Sequence, residues 1–302
     1  MSALDAAGAL AYRRRATPLH AARGMVAAAY GCCLALAALL TEDPILLAAL
    51  LGAVLLAAWL AAVGPQLLAA ARTAIVPLLV ITVLVNVLVS RRGLTVFARL
   101  GDWGPLGQED LTVEAVVYGA VFALRLLVVA LACLLVVCAA DPDELLLAAR
   151  RVSPRSALTA ALTTRLVPVL AQDARRLAEA QRCRPDGGPQ NAGRARLSIL
   201  RASVAGALDR ALDVAAVLEM RGYGAARGRR RGRAPVSRHD LAFAGAALAV
   251  PALVAAADAS GAASFHAYPL VTVAGGASTL AFAVLILIVS LAPFADRRGI
   301  SR

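Results

Sequence analysis

The chain contains no lysine; all 31 of its basic residues are arginine. A phosphate-binding P-loop needs the Gly-Lys-Ser/Thr ending, so none can exist here. Schiff-base chemistry through lysine is excluded as well. Histidine is almost as scarce: His20, His239 and His266 are dispersed, with no His-Glu-x-x-His, no Ser/His/Asp set and no intramembrane acid pair to support an enzyme. The five cysteines are Cys32, Cys33, Cys133, Cys138 and Cys183. Four fall in apolar runs and none forms a Cys-x-x-Cys pair, so they read as small apolar fillers in a reducing setting rather than as a metal site or disulfide framework. Aromatic residues make up only 4% of the 302 positions and charged residues 17%.

What is abundant is aliphatic sequence. Hydrophobic residues reach 60%, and a mean hydropathy of +0.74 is too apolar for an ordinary soluble domain. The bilayer is therefore the expected solvent. The wealth of alanine and the all-arginine net charge of +12 read as GC-rich codon bias, and hence as a bacterial chain.

Six apolar segments stand out, at 24–40, 45–62, 74–90, 114–140, 241–257 and 270–293. Each approaches or exceeds the ~20 residues that cross a ~30 Å hydrocarbon core. Arg13, Arg14 and Arg15 precede the first run. That run is slightly long for a signal-peptide core, lacks a clear cleavage site and is followed by further spans, which predicts an uncleaved first helix. Gly64-Pro65 closes the second segment, and a short amphipathic piece leads on to Arg72.

Arginine placement sets the expected orientation. With the N-terminus inside, the inner segments hold Arg13–Arg15, Arg23, Arg72, Arg297, Arg298, Arg302 and all of 141–240, which carries 19 Arg against 10 Asp/Glu. The outer loops hold Glu42-Asp43, a neutral 91–113 stretch and residues 258–269. Omitting one span would put either the basic centre or the basic tail outside. Among intramembrane polar residues Asn86 and Arg125 are the clear cases, with Glu114 near a helix end. They can act as hydrogen-bonding glue between helices or take part in substrate passage or gating. No chain of intramembrane Asp, Glu or His exists, which argues against ion-coupled carriage.

The central region 141–240 is polar. Asp141-Pro-Asp-Glu144 starts a helix, with a cap, a first-turn proline and acids at the positive helix end. A second helix is predicted over 156–182, with Leu158, Leu162, Leu166, Val169 and Leu170 as a buried stripe; Pro185 to Pro189 stop it, and 186–195 read as a loop. A third is predicted over 197–221, with Leu200, Val204, Leu208, Leu212, Ala215 and Leu218 along one face and Gly222 as its C-cap. The pair is expected to cross or run antiparallel. Each helix would end in an exposed arginine on an apolar stem: Arg184 in Glu179-Ala-Gln-Arg-Cys-Arg-Pro185, and Arg221 in Glu219-Met-Arg-Gly-Tyr-Gly224. The polybasic run 227–233, with Arg229, Arg230, Arg231 and Arg233, reads as a positive-inside flank touching anionic lipid. No aromatic interleaving supports nucleic-acid binding.

These features together resemble the transmembrane T component of energy-coupling-factor (ECF) transporters, the family that includes cobalt-transport permeases. The resemblance covers nearly the whole chain. Its most specific part is the pair Cys183-Arg184-Pro185 and Met220-Arg221-Gly222, which are similar to the family's two Ala-Arg-Gly-type motifs. Pro18-Leu-His20, Pro77 to Asn86, Ala123-Leu-Arg125, Asp141-Pro142 and Leu166-Val-Pro168 follow in the family's order. Cys183 and Met220 replace the alanines and Pro185 the first glycine, so the second motif is the more faithful.

The resemblance implies a non-catalytic subunit in which Arg184 and Arg221, with Glu179, Glu219 and Gly222 around them, dock into acidic grooves of two ATPase subunits. The same helices would touch a substrate-binding S component. ATP would be bound by the partners, so this chain would need no cofactor, metal or nucleic acid. The expected fold is an all-α polytopic membrane protein of about six spans. It would comprise a cytoplasmic arm (1–23), helices one to four (24–140), cytoplasmic coupling helices (141–240), helices five and six (241–293) and a cytoplasmic tail (294–302), in a bacterial plasma membrane. The alternative is a membrane adaptor that binds lipid or another partner through its basic region.

Overall fold

The structure, a computed structural model, describes residues 15–89, 96–102, 108–149, 153–183, 192–222, 237–263, 265–266, 272–273 and 276–296. The chain divides into two compact units: Met1–Leu145 together with Val236–Arg302, and Leu146–Pro235.

The first unit is built of helices. A short α1 (Pro18–Ala21) leads into α2 (Gly24–Leu40), α3 (Pro44–Leu60) and α4 (Gly64–Ala70). A π-helical turn at Ala71–Ile75 joins α4 to α5 (Val76–Val89), with a bend of 45° between the two. After a hairpin come α6 (Val113–Ala139) and α7 (Pro142–Ala149), where the chain passes to the second unit. It returns at α10 (Arg238–Ala259) and ends with α11 (Ala277–Leu291) and a 3-10 turn, Ala292–Phe294. Each of the six predicted apolar segments thus contains a helix. By length and composition α6, α10 and α11 with its 3-10 turn can each cross a membrane. The apolar α2 and α3 have 17 residues each, at the short end of the ~17–25 that span a bilayer.

Local chemistry explains the helix starts. At α3 the buried Asp43 carboxylate accepts the Ile45 and Leu46 N–H groups at 2.8 and 3.3 Å, and Pro44 takes the first position, where no N–H is needed. At α10, Ser237 and Asp240 form a capping box. Small residues such as Ala37, Ala38, Ala57, Ala132 and Ala246 fill the helix contacts, letting backbones approach closely as membrane helices do. Three of the few aromatic residues gather at one point. Tyr30 meets Phe243 and Phe294 edge-on at centroid distances of 5.3 and 6.3 Å, and Phe243 meets Phe294 at 5.1 Å. The Tyr30 hydroxyl donates to the Ser290 carbonyl at 2.8 Å. Leu36, Leu39, Leu55, Trp59, Leu280 and Ile288 face outward instead, an inversion that suits a lipid surrounding and not water.

The fold is all-α in its framework, with two short hairpins between helices. Two of the three stretches read as outer loops, 91–113 and 258–269, contain strand. β1 (Val96–Asp102) pairs antiparallel with β2 (Gln108–Thr112), Val96 opposite Thr112 and Asp102 opposite Gln108. β3 (Phe265–His266) pairs with β4 (Thr272–Val273). The β-branched Thr272-Val273 pair enters that second hairpin and Gly276 caps the helix, so α11 begins at Ala277 and not near residue 270.

The second unit is a helix pair, α8 (Pro154–Arg182) and α9 (Ala192–Met220), of 29 residues each. They meet near their middles, where Arg210 Nη2 lies 3.0 Å from Asp173 Oδ2. Pro168 is accommodated inside α8. A cleft of about 320 Å³ opens beside the ion pair, lined by Leu170, Asp173, Arg176, Leu177, Ser203 and Gly206 among others.

Candidate functional site

The second predicted arginine tip is laid out as its sequence suggests. The last turn of α9 closes with the Arg221 N–H on the Val217 carbonyl at 3.1 Å and the Gly222 N–H on that of Glu219 at 2.8 Å. Gly222 then takes a φ of +71°, a left-handed conformation that costs a side-chain-bearing residue energy and ends the helix cleanly. Glu219, Arg221 and Gly222 are all exposed, and Met220 beside them is 79% exposed. The tip therefore presents a cation on a firm stem, and among the described residues no salt bridge holds Arg221. At the end of α8 the Cys183 N–H reaches the Glu179 carbonyl at 3.3 Å, and both residues are exposed. Arg184, and the polybasic Arg229, Arg230, Arg231 and Arg233, lie outside the described residues.

The apolar stripes differ from expectation in one respect. Leu158, Leu162, Leu166 and Leu170 on α8 are half-buried, while Val169 is exposed. On α9, Leu200, Val204, Leu208 and Leu212 are all exposed, Leu212 to 70%. Helical periodicity places these residues on one face; within this unit the single partner helix leaves that face uncovered.

The two intramembrane polar residues behave unlike one another. Asn86 donates to the Thr82 carbonyl of its own helix at 3.2 Å, a bond made within α5 and not to a neighbour. Arg125 reaches out of α6 to the Thr41 carbonyl between α2 and α3 at 2.6 Å and to Glu42 at 3.4 Å. Its side chain is 16% exposed and the Glu42 side chain 65%.

One polar junction has no counterpart in the sequence reading. It lies at the start of α2, whose N-cap is Arg23, a residue with no side-chain acceptor. The Gly24 N–H donates to the Glu144 carboxylate of α7. The Arg23 N–H donates to Asp240 Oδ1 of α10 at 2.8 Å, and Arg23 Nε lies 3.2 Å from Asp240 Oδ2. Next to it, the buried His20 shares a 2.7 Å hydrogen bond with the Thr17 hydroxyl. Burial and then the Arg15 charge push the His20 pKa below its ordinary value, partly opposed by a bond to the Cys138 backbone. The three His/Cys/Asp/Glu ligands that would hold a metal ion are not gathered anywhere among the described residues.

A bundle of apolar helices with outward-facing leucines, carrying a polar two-helix unit between its fourth and fifth apolar segments, is a multi-pass membrane protein. Over residues 15–231 the chain matches the family described as Cobalt transport protein, CbiQ. No curated protein matches it at a significant level. The match spans well over half of the chain, so it belongs to the cobalt transport protein family, that of the T components of ECF transporters. It is accordingly a transport permease subunit of a kind that is generally non-catalytic and works in multi-component transporters with ATPase partners.

Proposed function

We propose that this chain is the six-span transmembrane scaffold of an ECF-type importer. It transmits ATP-driven motion from two ATPase subunits to a substrate-binding S component that takes up a vitamin or a transition metal. Arg221 and Arg184 each dock into an acidic groove of one ATPase, and ATP is bound there and not in this chain. The exposed Arg221 tip of α9 carries the reading. A guanidinium offers carboxylates a rigid fork, and a tip held on a 29-residue helix can pass on rigid-body movement. The uncovered leucine face of α9 supports the same view, since it supplies apolar surface for a partner helix. Both termini and the helix pair lie on the cytoplasmic side of a bacterial plasma membrane, as the arginine distribution favours.

The test is co-purification with the candidate ATPase pair, wild type against Arg184→Glu and Arg221→Glu. Removing one member of a buried charge pair costs roughly 2–5 kcal/mol, and reversing its sign costs no less. Loss of the complex in both variants, with insertion and monodispersity intact, supports docking. Normal ATPase binding by both would overturn it and leave the adaptor reading, which predicts a strongly salt-dependent association with anionic vesicles. Failure of Arg221→Glu alone would mean that Pro185 has cost the first tip its role.

A further inference from the structure

The chain leaves the first unit once, after Leu145, and comes back once, at Val236. Close to each crossing stands a carboxylate, and both carboxylates bind the same dipeptide. Glu144, one residue before the departure, accepts the Gly24 N–H. Asp240, four residues after the return, accepts the Arg23 N–H at 2.8 Å and pairs with the Arg23 guanidinium at 3.2 Å. These N–H groups belong to the set that a helix start leaves without intrahelical partners, at the positive end of the helix dipole. Such groups are ordinarily served by a local Ser, Thr, Asp or Asn. Here the acceptors come from 120 and 217 residues away.

The geometry is tight on both sides. A Cβ at Gly24 would lie 3.1 Å from the Asp141 carbonyl oxygen and 3.2 Å from Glu144 Cβ, so the two backbones touch. Asp240 is 4% exposed, and its Oδ2 also accepts the Ser237 N–H at 3.0 Å. One buried carboxylate thus fixes the start of α10 and the start of α2 together.

We infer that Glu144 and Asp240 are positioning residues that make the Arg23-Gly24 start of α2 a common anchor for both ends of the coupling region, so that movement of that region is delivered to the first membrane helix. This rests on the reading of the chain as a T component. A link made only to cap α2 would need one acceptor near in sequence. Two acceptors, one at each connection to the helix pair, hold α2 against both connections at once. Neither residue belongs to the docking tips, so their loss separates coupling from assembly.

The experiment uses the full complex with its two ATPases and S component in proteoliposomes, with the five native cysteines replaced. The double variant Glu144→Gln, Asp240→Asn keeps both ATPases and hydrolyses ATP, while uptake per ATP falls about tenfold, the effect of losing a charge-assisted hydrogen bond. A second variant, Gly24→Cys with Glu144→Cys, leaves Asp240 untouched. Its Cβ atoms start 3.2 Å apart and the new one lies 3.1 Å from the Asp141 carbonyl oxygen, so α2 and α7 must part by a few tenths of an ångström to reach the ~3.5–4.5 Å of a disulfide. Uptake is low when the pair is reduced, is restored on oxidation and falls again with reductant, a response that mere loss of stability would not give. Unchanged uptake per ATP in the first variant, or no restoration in the oxidised second, overturns the anchor. Loss of ATPase binding in either also overturns it, because the residues would then serve assembly. Failure of the docking reading would show separately, as normal ATPase binding by both Arg184→Glu and Arg221→Glu.

Discussion

The buried Asp240 carboxylate holds the backbone N–H of Arg23 at 2.8 Å, while the Arg23 side chain on the same carboxylate is 39% exposed. The backbone bond is therefore the stronger half of the link. Asp240→Ala strips the Arg23 and Ser237 N–H groups of their acceptor and is expected to lower stability by roughly 2–3 kcal/mol. Arg23→Ala keeps its own N–H and loses a half-exposed ion pair with Asp240, worth about 1 kcal/mol or less. Thermal unfolding in detergent, followed by tryptophan fluorescence, should show a clearly larger drop for Asp240→Ala. Equal drops would mean that the guanidinium matters more than its exposure indicates.

His20 makes the N-terminal junction sensitive to acid. Its folded pKa lies below the ordinary 6.5, first because it is buried and then because Arg15 opposes a second positive charge. As pH falls past the ordinary value, the unfolded chain takes up a proton that the folded chain resists. The His20 contribution is thus complete above about pH 6.5 and is lost as pH falls through the lowered folded value. The melting temperature should decline between about pH 7 and 5, and His20→Gln should flatten that slope. An unchanged slope in His20→Gln would assign the acid response to other groups.

The aromatic knot predicts a graded response at Tyr30. Tyr30→Phe keeps the ring contacts with Phe243 and Phe294 and loses the hydrogen bond to Ser290, at a cost of about 1 kcal/mol. Tyr30→Ala opens a cavity where α2, α10 and the 3-10 turn meet, at a cost of roughly 3–5 kcal/mol. The order of melting temperatures, wild type above Tyr30→Phe and both well above Tyr30→Ala, checks the assignment. A Tyr30→Phe variant as unstable as Tyr30→Ala would place the stabilisation in the hydroxyl.

Much of this architecture could be read from the sequence because a bilayer makes hydropathy a long-range and simple signal. The helices in the six apolar segments and the Gly222 end of α9 follow from runs and punctuation, while α8 starts at Pro154, two residues ahead of its predicted start. Periodicity also placed Leu200, Val204, Leu208 and Leu212 on one face, but it cannot say what covers a face, and here that face is open. The second hairpin was missed because Phe265–His266 and Thr272–Val273 are pairs of two residues, too short for an alternating pattern to register, and the first because neither Val96–Asp102 nor Gln108–Thr112 alternates cleanly between apolar and polar. The convergence of Glu144 and Asp240 on Arg23-Gly24 was hidden for a different reason. Asp240 reads as a local cap of α10, which it is, and only the packing shows that its second oxygen serves another helix. The one available hint was negative: α2 starts on Arg23, which cannot accept, so its acceptor had to come from elsewhere.

Arg125 offers a contrast between its two partners. It donates to the carbonyl of the fully buried Thr41 and also meets Glu42, whose side chain is mostly exposed. Arg125→Leu leaves the Thr41 carbonyl without this donor and should cost about 2 kcal/mol, whereas Glu42→Ala should cost less than about 1 kcal/mol. Comparable losses in the two variants would show the ion pair, and not the carbonyl bond, to be the main tie between α6 and the α2–α3 connection.

The docking tip allows a sharper test than charge reversal. Arg221→Lys retains the charge and loses the planar fork, so a carboxylate groove that is read bidentately should bind it at least about tenfold more weakly. Gly222→Val leaves Arg221 intact but forces a β-branched residue to a φ of +71°, a strain of roughly 1–3 kcal/mol that the helix end relieves by unwinding. If affinity depends on a rigid stem, Gly222→Val weakens ATPase binding while Gly222→Asn, a residue that tolerates this conformation, largely restores it. If affinity depends on charge alone, Arg221→Lys and Gly222→Val both bind like the wild type. Titration of each variant with the ATPase pair at fixed ionic strength separates the two cases, and only the first is compatible with a helix that pushes.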